Sequence, residues 1–278
     1  MNEIEQFYDE EYDEWDRLDR HFVEFALTKR YMDEYLAEYM ERAGKKSLKI
    51  LDIGGGPGRY SLYLAGKGHQ VILLDLSLRN VETAKKKAAE YGITLAGAVK
   101  GNALDLEGLD TDFDVVLLMG PLYHLIEEKD RKLAVEQALR HLMAGGLLFS
   151  SFISAFAPLQ ECFGYLKDVN ICSGEDDYRT LLGYLKDGRN VEDGNAIGGF
   201  TTAYFTGIDE AKKLMASFSL KELVFAGIES ILACKEREVQ ELSAENKEAW
   251  LEVAYRLSRN EYLLGTSMHF LYIGEKEI

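Results

Sequence analysis

Short apolar runs alternate with helical patterns through the first half of the chain, and this alternation limits the possible folds more than any other feature. Strand-like runs fall at 49–53, 71–76, 95–100, 114–119 and 147–153. The helices predicted between them fall at 59–66, 78–91 and 128–143. Strands that are apolar along their whole length are typical of a parallel sheet with helices on both faces. The pattern therefore predicts an α/β domain of the doubly wound type.

The alternation of strand-like runs and helical patterns stops on either side of this region. Residues 14–43 carry apolar residues at helical spacing, while residues 155–207 are polar, aromatic and rich in glycine. Within the second stretch we predict weak helices at 157–166 and 177–185 and a hairpin at 190–206. Core patterning returns with a helix at 209–218, a strand near 220–227, a helical segment at 236–260 and a strand at 268–274. The two late strands are apolar, so they can pair antiparallel at the sheet edge.

These boundaries suggest three parts. Residues 1–46 form an N-terminal helical segment, 47–154 and 208–278 form the core, and 155–207 form an inserted cap. A chain of 278 residues is long enough for one large α/β domain with such an insertion.

Charge narrows the range of partners. The chain has 32 basic and 48 acidic residues, a formal net charge of −16. Such a field repels phosphate backbones and anionic membrane surfaces, so we expect neither nucleic acid nor membrane as a partner. Nine of the carboxylates fall within residues 1–20, and the simplest interpretation of that cluster is a solvated helix face.

Cysteine usage and the N-terminus predict a cytoplasmic protein. Cys162, Cys172 and Cys234 show no paired spacing and no clustering with histidine, so neither a disulfide framework nor a metal site is indicated. The first residues are acidic and lack the apolar region of a signal peptide. No run reaches the roughly 18–20 apolar residues of a membrane span. The sequence leaves open whether the protein is a monomer or a homodimer.

A glycine cluster follows the first predicted strand, as in loops that bind nucleotide-like ligands. A dinucleotide fingerprint would need glycine where Arg59 stands, and a P-loop would need Gly-Lys-Ser or Gly-Lys-Thr, which is absent. Asp52 precedes the first glycine by two residues, where a carboxylate repels pyrophosphate but suits an ammonium group. Asp75 ends the next strand, 23 residues later, and can accept hydrogen bonds from two ribose hydroxyls. An adenosyl amino acid fits this pair of carboxylates better than NAD does. The alternative is that Asp75 merely ends a strand and Ser77 merely caps a helix.

At this point the sequence resembles a class I S-adenosylmethionine (SAM)-dependent methyltransferase. Five segments carry the resemblance: LDIGGGPGRYSLYLA (51–65), VILLDLS (71–77), GNALDL (101–106), FDVVLLMGPLYHL (113–125) and LRHLMAGGLLFSSF (139–152). The resemblance implies a Rossmann-like doubly wound sheet of seven strands, mostly parallel with one antiparallel strand, plus N-terminal helices and an inserted cap. It also implies SAM as the cofactor and S-adenosylhomocysteine (SAH) as its product.

The resemblance assigns cofactor-binding roles residue by residue. Asp52 would act near the amino group of the methionine moiety and Asp75 would hold the ribose. Met119 would face the sulfonium. Family members often carry aspartate where Asn102 stands, but an asparagine can still contact the adenine amine. The remaining assignments are backbone approach to the methionine moiety by Gly54, Gly56 and Gly58, packing on adenine by Leu76, and contact with the adenine edge by Asn102 and Ala103.

Candidates for contacting the methyl acceptor are fewer. Tyr123 and His124 directly follow a strand at the ligand edge, and a histidine can act as a general base near neutral pH. The alternative is that Tyr123 packs against the cofactor and His124 satisfies a backbone group. In many similar enzymes the N-terminal segment closes over the cofactor, which would let Arg17 pair with the cofactor carboxylate and let Tyr8 or Trp15 line the acceptor pocket. An amphipathic helix with exposed acids is the simpler interpretation.

The sequence thus predicts methyl transfer to oxygen or nitrogen of a small molecule, without a metal ion. Such a transfer requires mainly that the nucleophile be aligned and water excluded. The main alternative is a SAM-binding protein without catalysis, acting as a regulatory or partner-binding module. An NAD-dependent oxidoreductase is disfavoured by Arg59 and Asp52. A nucleic-acid methyltransferase is disfavoured by the negative charge and by the loop after the fourth strand.

Overall fold

The computed structural model describes residues 3–11, 14–164, 182–190 and 201–277. Its centre is a mixed sheet in which five strands run parallel in the spatial order β3-β2-β1-β4-β5. These strands are β1 (Lys49–Ile53), β2 (Gln70–Asp75), β3 (Gly97–Lys100), β4 (Phe113–Leu118) and β5 (Leu142–Ser154). The order reverses between β1 and β4, and this reversal places a crevice at the carboxyl ends of the strands.

Two late strands complete the body of the sheet. β9 (His269–Lys276) lies antiparallel between β5 and β8 (Leu220–Gly227). The seven strands therefore include one that is antiparallel, which confirms the predicted fold class. Two short strands extend the sheet. β7 (Ala203–Thr206) pairs in parallel with the end of β5 at Ile153 and Ser154, and β6 (Arg189–Asn190) pairs antiparallel with β7. The predicted turn of that hairpin lies in 191–200, outside the described residues.

Helices cover both faces of the sheet. A π-helical turn spans Phe7–Glu11, and 3₁₀ turns span Pro121–His124, Ser230–Lys235 and Leu264–Thr266. The α-helices are α1 (Glu3–Gln6), α2 (Arg17–Arg20), α3 (Phe22–Ala43), α4 (Arg59–Gly66), α5 (Leu78–Tyr91), α6 (Glu128–His141), α7 (Ala157–Gly164), α8 (182–187), α9 (Ile208–Ala216), α10 (Glu236–Gln240) and α11 (Ala244–Leu257). In the described part of the chain, every helix is too short or too polar to cross a lipid bilayer.

The apolar core forms two layers because successive side chains of a strand point to opposite faces. Ile50 of β1 packs with α3 and α4 in one layer, whereas its neighbour Leu51 packs with α6 in the other. β4 alternates in the same way, with Val115 in the first layer and Val116 in the second. Both layers are fully buried, which explains why the strands are apolar along their whole length.

Several predicted boundaries differ from the structure, three of them in ways that have a local cause or shorten an element. The helix predicted at 128–143 ends at His141, and β5 begins at once with Leu142. Gly145 and Gly146 lie inside β5, where the pairing with β4 is irregular; Gly145 has φ +74°, a left-handed value that glycine adopts readily. The single helix predicted at 236–260 is two helices, because Ser243 caps a new helix through its bond to the Asn246 amide. β3 begins at Gly97. The predicted helix ends within 165–181 lie outside the described residues.

Candidate functional site

The glycine loop between β1 and α4 packs directly against the loop that follows β4. The Gly54 amide donates to the Leu74 carbonyl at 2.7 Å, and Gly54 has φ +70°. A Cβ at Gly54 would lie 2.6 Å from Cδ of Pro121, and a Cβ at Gly120 would lie 2.8 Å from the Gly54 carbonyl oxygen. Only glycine fits at these two positions, so the loops together form a bare backbone surface at the crevice.

A cavity of about 790 Å³, counting the part that is open to solvent, lies beside this surface. Its walls come from the ends of β1, β2, β3 and β4 and from the N-terminal residues Ile4, Tyr8 and Glu14. The cavity therefore occupies the crevice at the switch point of the sheet, where α/β proteins bind their ligands. Eight of the residues predicted from the sequence line it: Gly54, Gly56, Asp75, Leu76, Asn102, Ala103, Tyr123 and His124.

Asp75 is the most strongly held of the lining side chains. Its Oδ1 accepts from the Ser77 amide at 2.9 Å and from Asn80 Nδ2 at 3.2 Å, and its Oδ2 accepts from the Gly56 amide at 2.7 Å. Burial raises the pKa of Asp75, while these hydrogen bonds act in the opposite direction. A carboxylate oxygen can accept about two hydrogen bonds. Among the described contacts, Oδ2 accepts one, so it has capacity for one more donor from the cavity.

Asp52 lies beneath the loop rather than in the cavity wall. It is 2% exposed and accepts a hydrogen bond from Ser61 Oγ at 2.6 Å. A Cβ at Gly55 would lie only 2.7 Å from its Oδ2, so the loop backbone covers the carboxylate. Burial raises the pKa of Asp52 to about 7, with the Ser61 bond opposing that shift and Asp75 adding to it. Its predicted role near the cofactor amino group stays a prediction.

Gly58 and Met119 lie beside the cavity lining. Gly58 has φ +91°, and a Cβ there would lie 3.0 Å from the Ala84 Cβ, so this glycine permits α4 and α5 to approach closely. The Met119 carbonyl accepts from Ser151 Oγ at 2.5 Å. Their predicted roles toward the cofactor stay predictions.

The loop after β3 forms the far wall of the cavity. Asn102 is exposed, and its Oδ1 accepts from the Leu104 amide at 3.0 Å, which fixes a tight turn. Ala103 is 8% exposed and lies next to this turn. The Asn102 amide group has further donor and acceptor capacity, consistent with the predicted contact to the edge of a base.

The N-terminal segment 3–11 contacts residues at or beyond the carboxyl ends of three different strands. Ser77 Oγ donates to Asp9 Oδ1 at 2.5 Å, and Lys100 Nζ donates to Glu5 Oε1 at 2.5 Å. The Tyr8 hydroxyl lies 2.9 Å from His124 Nε2. The segment thus lies across the ends of β2, β3 and β4, over the cavity.

His124 is held as a neutral imidazole. Its Nδ1 lies 3.0 Å from the Thr202 carbonyl oxygen, which can only accept, so Nδ1 carries the proton. Nε2 is then an acceptor, and the Tyr8 hydroxyl donates to it. Burial lowers the pKa of His124 to about 4, although the Thr202 contact acts in the opposite direction. Its neighbour Tyr123 also lines the cavity, and burial raises the pKa of its hydroxyl.

Arg17 lies in a buried charge network next to the cavity. Its guanidinium donates to both carboxylate oxygens of Glu24, at 3.2 and 2.9 Å, and its Nη2 is 3.2 Å from His269 Nε2. His269 Nδ1 in turn lies 2.5 Å from Glu229. Burial would raise the pKa of Glu229, but His269 and several hydrogen bonds outweigh it and hold that pKa at about 2. The predicted contact of Arg17 with the cofactor carboxylate stays a prediction.

The same network contains an arrangement that can ligate a metal ion. One ligand atom each from Glu24, Glu229 and His269 lies within 4.8 Å of the others. Arg17 already supplies a positive charge there, because it donates to Glu24 and contacts His269. The expectation that the reaction needs no metal stays a prediction.

Sequence reasoning missed Glu14. Its side chain lines the cavity and is 18% exposed. The residue belongs to the acidic N-terminal cluster that was interpreted as a solvated face, and no local pattern distinguishes it from its neighbours. Burial raises its pKa to about 7, while Arg17 acts in the opposite direction.

The fold and the cavity define an α/β protein of the Rossmann-like type, with a crevice over β1 and β4. Residues 50–146 match the family model described as "Methyltransferase domain". The chain therefore carries a methyltransferase domain of the class I, SAM-dependent type, whose cofactor is SAM.

Curated proteins resemble part of the chain in sequence. A tRNA 5-carboxymethoxyuridine methyltransferase of Escherichia coli (strain K12) is 30% identical over 157 residues, which cover 55% of this chain and 54% of that protein. A ubiquinone biosynthesis O-methyltransferase of Chelativorans sp. (strain BNC1) is 34% identical over 116 residues, 41% of this chain and 44% of that protein. The chain thus spans about half the length of the curated relatives it matches.

Likeness to solved structures extends over nearly the whole chain. The crystal structure of an S-adenosylmethionine-dependent methyltransferase from Clostridium acetobutylicum ATCC 824 superposes with a TM-score of 0.60 at 14% identity. The match covers 95% of this chain and 96% of that one. At this identity the likeness establishes the fold alone.

Proposed function

We propose that the chain is an enzyme that transfers the methyl group of SAM to an oxygen or nitrogen atom of a small molecule, in the cytoplasm. The observation that carries the proposal is the covered cavity at the switch point, lined by the glycine loop, by Asp75 and by His124. SAM, when bound, supplies a methyl carbon made electrophilic by the sulfonium, and SAH leaves with the electrons of the broken carbon–sulfur bond.

The lining residues match the parts of this cofactor. Asp75 Oδ2 has acceptor capacity for a ribose hydroxyl, and the loop of Asn102 offers an amide group to the adenine edge. Gly54 and Gly120 line the cavity without side chains, which suits the proposed position of the methionine chain. The glycine loop does not suit a pyrophosphate, since the acidic side chain of Glu14 lies beside Gly56.

Tyr8, Tyr123 and His124 would contact the acceptor. An attacking hydroxyl must lose its proton as the new bond to carbon forms, and a protonated amine must lose a proton before its lone pair can attack. His124 is neutral at pH 7 and its Nε2 is an acceptor, so it can orient a donor hydrogen of the acceptor in place of the Tyr8 hydroxyl. With a pKa of about 4 it holds a proton only transiently, so the proton would pass on to solvent.

The size and charge of the site support a small-molecule acceptor. Segment 3–11 covers the cavity, and the described lining residues include Asp75 and Glu14 but no lysine or arginine. A polyanion would have to approach a chain with a formal net charge of −16. The name of one relative refers to tRNA, so tRNA belongs among the acceptors that are tested.

Two measurements test the proposal. Calorimetry should detect binding of SAM and SAH to the purified protein, with NAD as a control ligand that does not bind. Methyl groups labelled with tritium should then move from SAM to a member of a panel of small amines, phenols and carboxylic acids, with tRNA and peptides as comparison acceptors. Failure of SAM and SAH to bind below the millimolar range would refute the proposal.

The second candidate is a SAM-binding protein without catalysis. The feature that favours it is the Tyr8–His124 hydrogen bond, which occupies the imidazole nitrogen that would otherwise orient an acceptor. A protein of this kind would bind SAM and SAH without producing SAH above the background rate with any acceptor of the panel.

A further inference from the structure

The side chain of Glu14 brings to the cavity a carboxylate that accepts no hydrogen bond among the described contacts. Among the described residues, the ion pair that its side chain makes is with Arg17, where Nε lies 3.8 Å from Glu14 Oε1. That distance is too long for a hydrogen bond. The guanidinium of Arg17 is already bound at 3.2 and 2.9 Å to both oxygens of Glu24. The positive charge of Arg17 is therefore offset mainly by Glu24, and the carboxylate of Glu14 has no hydrogen-bonded cation among the described contacts.

The position of Glu14 points to the methionine end of the cofactor. Its Cγ lies 3.6 Å from the place where a Cβ of Gly56 would stand. Gly56 belongs to the bare backbone surface along which the methionine chain is expected to lie. Asp52, the carboxylate predicted for the amino group, is covered by Gly55 and bound to Ser61 instead. Glu14 thus offers to the cavity the charge that Asp52 does not.

We infer that Glu14 binds the ammonium group at the methionine end of SAM and SAH. This inference rests on the proposed function, since it takes SAM as the ligand. A cation next to Glu14 and Asp75 would offset the repulsion between two carboxylates in one desolvated cavity, which a neutral ribose cannot do. The acidic N-terminal segment would then recognise the cofactor as well as cover it.

The ionisation of Glu14 makes the inference testable through pH. Burial raises the pKa of Glu14 to about 7, Arg17 and His21 lower it, and Glu24 and Asp75 raise it. Tyr8 and Tyr123, which also face Glu14, remain neutral hydroxyls because burial raises the pKa of both. Only the ionised carboxylate attracts an ammonium, so affinity for SAH should rise as the pH rises from 5.5 through 7 and level off above about 8.

The decisive experiment compares four ligands by calorimetry: SAM, SAH, deaminated SAH (which lacks the ammonium group) and 2′-deoxy-SAH (which lacks a ribose hydroxyl). Glu14→Gln should weaken SAM and SAH equally, by about 10- to 100-fold, because one charge-assisted hydrogen bond is lost. The same variant should change the affinity for deaminated SAH by less than threefold. Glu10→Gln is the matched control, since Glu10 is exposed in the same segment and bonds only to Gln6 among the described contacts.

Four other outcomes of this comparison would overturn the inference. Equal SAH affinity of Glu14→Gln and the wild type refutes the role of Glu14 while leaving the proposed function intact. A larger loss for SAM than for SAH would place Glu14 at the sulfonium, and a loss that disappears with 2′-deoxy-SAH would place it at the ribose; both overturn the inference. A drop in turnover with unchanged SAH affinity would place it at the acceptor and would also overturn the inference.

The wild type alone provides a second readout that does not depend on a folded variant. Its affinity for SAH should change with pH between 5.5 and 8, whereas its affinity for deaminated SAH should stay flat. Parallel pH profiles for the two ligands would refute the assignment. If the wild type binds none of the four ligands, the proposed function itself fails and the inference falls with it.

Discussion

Replacing Asp75 by asparagine should weaken cofactor binding by a margin that its hydrogen bonds allow us to estimate. Oδ1 accepts two protein donors and Oδ2 accepts one, so one acceptor position remains for a ribose hydroxyl. Loss of one hydrogen bond to a charged group costs about 1.5–3 kcal/mol, which corresponds to roughly a 10- to 150-fold rise in the Kd of SAH. In Asp75→Asn the amide nitrogen takes the place of one carboxylate oxygen and faces the donors that this oxygen accepted from, either the Gly56 amide or the two donors at Oδ1. Because a donor then loses its acceptor, we expect the free energy of unfolding to fall by about 1–3 kcal/mol.

The assay is calorimetry with SAH and with 2′-deoxy-SAH, on the wild type, on Asp75→Asn and on the control Asp105→Asn. Asp105 is an exposed aspartate of the β3–β4 loop that accepts from the Glu107 amide, so it matches the chemical change outside the cavity lining. The difference between the two ligands should be large in the wild type and the control and small in Asp75→Asn. If Asp75→Asn binds SAH within threefold of the wild type, the assignment of Asp75 to the ribose is wrong.

Three further changes probe the loops and the cover. Gly120→Ala should lower the melting temperature and weaken SAH binding, since the new Cβ would stand 2.8 Å from the Gly54 carbonyl oxygen. His124 is buried and neutral, with a pKa of about 4 in the folded protein and near 6.5 in the unfolded chain. The free energy of unfolding should therefore fall as the pH falls from 6.5 to 4. In urea titrations, His124→Gln should remove about 3 kcal/mol of that fall. Ser77→Ala should cost about 1 kcal/mol, because the Asn80 amide loses its cap, and hydrogen exchange of segment 3–11 should speed up.

Each of these three predictions has its own control or contradicting result. Gly207→Ala is the control for Gly120→Ala, since beyond its chain neighbours no atom lies within 4 Å of the place where a Cβ of Gly207 would stand. Equal melting temperatures of the two variants would show that the loops can separate freely. A wild-type pH slope that survives in His124→Gln would mean that other groups cause it. Unchanged exchange in segment 3–11 of Ser77→Ala would show that the Asp9–Ser77 contact does not hold the segment.

The central part of the fold is predictable because its signals are local. Each of the first five predicted strand runs is followed directly by glycine or serine, and the helices have capping residues such as Ser77 and Gly92. Gly145 and Gly146 misled the prediction, because glycines that commonly end helices here lie within an irregular strand. The broken helix after Glu236 depends on the cap at Ser243, which a continuous helical pattern conceals.

The candidate site is only partly predictable, for a related reason. Residues at the ends of strands, such as Asp75 and His124, take their positions from the sheet, and the sheet is encoded locally. Glu14 reaches the cavity through the packing of the N-terminal segment across the sheet, and Asp52 is hidden by the turn at Gly55. Both outcomes depend on contacts between distant segments, which the spacing of residues along the chain does not encode.

The most direct test of the account is a crystal structure of the protein with SAH. The account predicts SAH in the cavity, with the adenine beside Leu76 and Asn102 and a ribose hydroxyl within hydrogen-bond distance of Asp75 Oδ2. SAH bound outside this cavity, or bound inside it with the ribose directed away from Asp75, would contradict the account.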